Sequence, residues 1–127
     1  MKVLLLPEKE DYDFLNKELG LGHYCDQDWE LLQSDPDRLE DFMILYESGR
    51  LNEVRQVALM DLIIASYDNL LEKYGHEDLI WKRICSHLQK NEKLHWYTTF
   101  YWSLEFEGED YEEGWEVTEK MRRLKGL

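Results

Sequence analysis

The chain is short of cysteine, proline, basic side chains and long apolar runs, and each shortage closes a class of structure or function. It has two cysteines, Cys25 and Cys85, in 127 residues. That is too few for a disulfide scaffold, and they are expected to be reduced thiols of a cytoplasmic protein. The early apolar run, Val3 to Leu6, stops at Pro7 and acids follow. A secretory signal needs about 7–15 apolar residues, so no export is expected. No stretch approaches the roughly 20 apolar residues of a membrane span. Lys and Arg number 15 against 28 Asp and Glu, for a net charge of −13. Phosphates demand Lys and Arg, so nucleic acid and anionic membrane surfaces are not expected as partners. An acidic surface attracts basic partners instead.

The chain is rich in aromatic and aliphatic residues. With 13 % aromatic and 43 % hydrophobic residues it can build a core despite 34 % charged residues. Its length predicts a single domain, 1–127, that buries roughly two-thirds of its unfolded surface. Acid gathers toward the ends: residues 1–40 carry −7, 41–90 carry −2 and 91–127 carry −4.

Punctuation predicts helices. Pro7 suits a first helical position and Gly20 the residue past a C-terminus. Asp35 and Pro36 open a segment that Gly49 closes, with Leu39, Phe42, Met43 and Tyr46 on one stripe. Asn52 caps the next helix, which runs to Gly75. At about 100° per residue its Val57, Leu59, Met60, Ile63, Ile64, Tyr67, Leu70, Leu71 and Tyr74 fall in one arc. Asp61, Asp68, Asn69, Glu72 and Lys73 fall opposite, so this reads as an amphipathic spine with a solvated face. A further helix is expected over 77–89, with Ile80, Trp81, Ile84 and Leu88 inward. The end, from Val117, reads as a short helix capped by Thr118, with cations in its last turns.

The segment Glu92 to Glu116 is nearly solid aromatic, then nearly solid acid. Residues 94–106 alternate well enough for a strand and also gather Leu94, Trp96, Tyr97, Phe100, Tyr101 and Leu104 on one helical arc. Thirteen residues exceed the common 3–10 of a strand, and Asn91 can cap a helix, so helix is expected. The predicted fold is all-α, a compact antiparallel bundle or helical-repeat-like stack of five to seven helices. The alternative is α+β with a small edge sheet.

No catalytic constellation stands out. His23, Cys25, Cys85 and His87 are the ligand types of a zinc site. Residues two apart on a helix point about 200° from each other, however, so Cys85 and His87 do not share an ion. Acids flank Cys25, and a reactive thiolate wants positive neighbours. No glycine-framed serine elbow or phosphate-cradling loop exists. Neither metal nor cofactor is expected. An alternative remains in which His95, Trp96, Phe100 and Trp102 wall a small-ligand or catalytic pocket.

The acidic run is the better candidate. Glu105, Glu107, Glu109, Asp110, Glu112, Glu113 and Glu116 are seven acids in twelve residues, interleaved with Tyr111 and Trp115. Tyr and Trp anchor interfaces, and an acid field selects a basic partner. The expected partner-binding residues are therefore Glu107, Glu109, Asp110, Tyr111, Glu112, Glu113 and Trp115. The competing expectation is that Trp115 folds back on the core and the acids pair with Lys120, Arg122 and Arg123. The expected function is a non-enzymatic protein that sequesters a basic protein, such as a toxin domain. In type, though by no specific motif, it resembles the immunity proteins of bacterial toxin systems. A further alternative is an adaptor or structural subunit of a larger assembly.

Overall fold

The computed structural model describes residues 4–75, 77–109 and 111–127. Among them the chain is all-α, with no strand. The α-helices are α1 (Lys9–Leu19), α2 (Trp29–Leu32), α3 (Leu39–Glu47), α4 (Glu53–Tyr74), α5 (Asp78–Lys90), α6 (Trp96–Trp102) and α7 (Thr118–Leu124). Short 3-10 turns lie at Pro36–Arg38 and Glu105–Glu107. The chain forms two compact units, Leu4–Ser66 and Tyr67–Leu127.

In the first unit the polar groups at the helix ends do the fixing. The Glu8 N–H donates to the Asp11 carboxylate at 2.9 Å at the start of α1, and Gly20 ends it with φ +65. Asp11 is buried and pairs with the Arg55 guanidinium at 3.2 Å. That guanidinium lies over the Phe14 ring, 4.0 Å from its centroid, which covers the charge with apolar surface while its edge stays hydrogen-bonded. Buried Asn16 ties down the segment that follows. Its amide donates to the Tyr24 carbonyl at 2.7 Å, and its oxygen accepts from the Trp29 indole at 2.8 Å. Asp35 caps the first 3-10 turn by accepting from the Asp37 N–H at 2.9 Å. Asn52 caps α4, accepting from the Arg55 N–H at 3.0 Å. Leu39, Phe42, Met43 and Tyr46 are all buried, as their spacing predicts.

The spine helix corrects the expected solvated face. From Val57 to Asp68 only Asp61 is more than marginally exposed, so this stretch of α4 is buried all round, while Glu72 and Lys73 beyond it are exposed as expected. Two polar residues are thereby enclosed. The Ser66 hydroxyl accepts from the Asp35 N–H at 3.1 Å. Asp68, read from the wheel as solvated, is 9 % exposed and accepts from the Val117 N–H at 2.9 Å. A polar side chain inside a helix is tolerated there because it supplies an acceptor that a distant backbone donor needs.

In the second unit α5 is capped by Glu77, whose carboxylate accepts from the N–H groups of Leu79 and Ile80 at 2.7 and 3.3 Å. Tyr67 stacks on Trp81 with centroids 5.4 Å apart, and its hydroxyl donates to the Glu77 carbonyl at 2.6 Å. The aromatic segment is helical, but shorter than expected. Asn91, the expected N-cap, instead ends α5, and α6 begins only after His95.

Candidate functional site

The candidate surface starts where α6 stops. Leu104 adopts φ +55, a left-handed conformation that costs a residue with a side chain about 1–2 kcal/mol. It turns the chain out of α6 into the acidic segment. Buried Arg122 on α7 holds that turn: one guanidinium nitrogen donates to the Leu104 carbonyl at 3.1 Å and also to the Gly108 carbonyl. The same guanidinium lies over the Tyr111 ring, 4.2 Å from its centroid. Tyr111 in turn donates through its hydroxyl to the Glu119 carboxylate. Arg122 thus braces the acidic loop at Leu104, Gly108 and Tyr111 through backbone and ring, and among the described residues it forms no ion pair with the loop's acids.

The loop returns to the body at Trp115. Its indole packs on fully buried Trp102, centroids 4.5 Å apart, and on Tyr101 at 5.0 Å. Thr118, the expected cap of the last helix, serves this junction instead. Its hydroxyl accepts from the Trp115 N–H and donates to the Trp102 carbonyl, both at 3.0 Å. Gly114 is small by necessity, since a Cβ there would come within 3.1 Å of both Thr118 and the Tyr111 ring. Trp115 and Tyr111 are therefore each half-buried, with one part in the packing and another at the surface.

The acids divide into two kinds. Glu105 pairs with Lys125. Glu107, Glu109, Glu112, Glu113 and Glu116 are exposed, and among the described residues they form no salt bridge. Lys120 reaches Asp78 at 3.8 Å and Arg122 is spent on carbonyls, so among the described residues the expected neutralisation does not occur for those five. Asp110 lies outside the described residues. Beside the free acids is a surface cleft of about 460 Å³, lined by Tyr101, Leu104, Phe106, Glu107, Glu113, Gly114 and Trp115. Neither Phe106 nor this cleft was singled out in the sequence reading. The signal was present as an aromatic residue with acids on both sides, but its use depends on the turn at Leu104.

The alternative site at His95 looks different. His95 and Trp102 are fully buried. Burial, and then the neighbouring His87, push the His95 imidazole down to about 4, so it is neutral near pH 7 and sealed from solvent. The thiols are poor nucleophiles. Burial raises Cys85 to about 11, and partial burial with the Asp13 carboxylate raises Cys25. Among the described residues no three His, Cys, Asp or Glu side chains gather in a metal-holding group, and no helix is long and apolar enough to cross a membrane. No protein-family model, curated protein or solved structure matches the chain.

Proposed function

We propose that this protein is a non-enzymatic binding protein that sequesters a basic protein through the segment 105–116. The observation that carries the reading is the five exposed carboxylates at Glu107, Glu109, Glu112, Glu113 and Glu116, which form no salt bridge among the described residues, beside a cleft walled by Tyr101, Phe106 and Trp115. Like charges gathered on a braced loop repel one another, and a cationic partner relieves that repulsion. The partly buried rings supply apolar area at the centre of the charged rim, the usual arrangement of an interface. A nuclease toxin domain fits as partner class, since a phosphate-binding cleft is a positive surface. The sealed, neutral His95 and the raised thiols favour binding over catalysis.

The test is capture of the partner from the cell that makes this chain, followed by affinity measurements across salt. The partner should be basic, and affinity should fall by about tenfold or more as the screening length shortens from low to high salt. Charge reversal at Glu107, Glu109, Glu112 and Glu113 should abolish the complex while leaving the fold unchanged. A neutral or acidic partner, or an affinity indifferent to both salt and charge reversal, would overturn the reading.

A further inference from the structure

We infer that the cleft between Phe106 and Trp115 receives a single cationic side chain of the protein partner, an arginine in preference to a lysine. This rests on the acidic-surface reading above and gives that surface a defined point of attachment. Tyr101 is the ring common to the site. It lies 6.3 Å from Phe106 with planes 24° apart, and 5.0 Å from Trp115 with planes 41° apart. Glu107 and Glu113 add a carboxylate from each arm of the loop.

The chemistry of the walls selects the occupant. Aromatic faces carry negative potential, so they attract a cation and repel an anion. An uncharged aliphatic side chain would fill the space but strip water from two carboxylates and return no hydrogen bond, which is costly. A guanidinium meets both demands: its plane stacks on a ring while its edge donates to a carboxylate, which a compact ammonium does less well. The chain already uses this arrangement internally. Arg122 lies over Tyr111 and Arg55 over Phe14, at 4.2 and 4.0 Å, with each guanidinium edge hydrogen-bonded to oxygen. Lys125 sits 5.9 Å from the Phe100 ring. Among the described residues no cation of the chain lies over Phe106 or Trp115. These are the half-exposed rings flanked by free acids, and the missing cation is the one a basic partner brings.

The experiment needs no partner. The indole N–H resonance of Trp115, assigned from a Trp115→Phe variant, is followed while N-acetyl-arginine amide is added to the intact chain at constant ionic strength. N-acetyl-citrulline amide, nearly the same shape without the charge, is the control. The arginine probe should shift the Trp115 resonance saturably, and the citrulline probe should not. The Glu107→Gln/Glu113→Gln variant should weaken the arginine probe by about fivefold or more. The Glu109→Gln/Glu112→Gln variant, of equal charge, should leave it within about twofold. The inference is overturned by absence of saturation, by an equal response to citrulline, by equal loss in both double variants, or by a Trp115 shift that follows protein concentration alone. The two proposals fail separately. Saturation by arginine in a chain that captures no basic protein keeps the cleft and removes the broader function. A salt-sensitive complex with a basic protein and a silent Trp115 does the reverse.

Discussion

The indole of Trp115 rests against that of Trp102 with ring centroids 4.5 Å apart and planes at 53°. One ring at the edge of the acidic loop is thus part of the packing of the second unit, and the loop cannot be described as a free tether. Trp115→Ala should lower stability by about 1–3 kcal/mol, less than loss of a fully buried Trp, because the ring is half-buried. Urea unfolding read by circular dichroism measures this. Trp115→Phe should recover much of the loss. An unchanged midpoint in Trp115→Ala would mean that the Trp102 contact contributes nothing.

Asp68 and Val117 are 49 residues apart and joined by one hydrogen bond of 2.9 Å. Asp68→Ala leaves the Val117 N–H buried without its acceptor and should cost about 1–3 kcal/mol. Asp68→Asn keeps an oxygen in the same place and should stay within about 1 kcal/mol of the parent at neutral pH. Burial raises the Asp68 carboxyl above its usual value, so the charge is not what the position requires. Equal losses in both variants would show instead that it is.

Arg122→Ala releases the Leu104 and Gly108 carbonyls and the Tyr111 ring together. Hydrogen bonds from a charged donor are worth about 1.5–3 kcal/mol, and a loss of roughly 2–4 kcal/mol is expected. Arg122→Lys should rescue little, because an ammonium cannot stack and fork at once. The sharper readout is local. A glutamate-specific protease should cut the segment 105–113 faster in Arg122→Ala than in the parent, under conditions where both remain folded. Equal cutting would mean that something else holds the loop.

His95 sets the response to acid. Its folded value of about 4 lies below the usual 6.5 of an imidazole. Between those values the unfolded chain binds the proton and the folded chain does not, so stability falls as pH drops from about 6.5 toward 4. Above 6.5 the group contributes no slope. The full loss at pH 4 is about 3 kcal/mol by linkage. Asp68 runs the other way: its raised carboxyl takes a proton in the folded chain first, which adds stability as pH falls toward the usual carboxylate range. Denaturant midpoints from pH 7 to 4.5 should drop in the parent and drop less in His95→Gln. Parallel profiles would remove His95 as the cause.

Much of the helix punctuation was legible in the sequence. Asp35, Asn52, Gly20, Gly49 and Gly75 act locally, through groups within a turn of themselves, and a linear reading captures such effects. Asp68 was misplaced because its partner, Val117, comes from 49 residues away. A wheel that sorts residues by polarity sends such a carboxylate to solvent. The aromatic helix was recognised but drawn too long, since Asn91 can end one helix as well as begin another. The acids of the site were visible as composition. Its shape was not, because the turn at Leu104, the brace from Arg122 and the cleft beside Phe106 depend on α6 and α7 being folded first.

The missing side chain at Gly114 separates two kinds of position in the acidic segment. The carboxylates at Glu107, Glu109, Glu112 and Glu113 are exposed and, among the described residues, form no salt bridge, so their replacement should move stability by no more than about 0.5 kcal/mol. At Gly114 a single added carbon meets Thr118 and Tyr111 at 3.1 Å. Variation in this surface is therefore inexpensive in charge and constrained in shape. Under the proposed binding role, a lineage follows a drifting partner by exchanging acids one at a time, keeping Gly114, Thr118 and Arg122 as the unaltered mount on which each new pattern of charge is displayed.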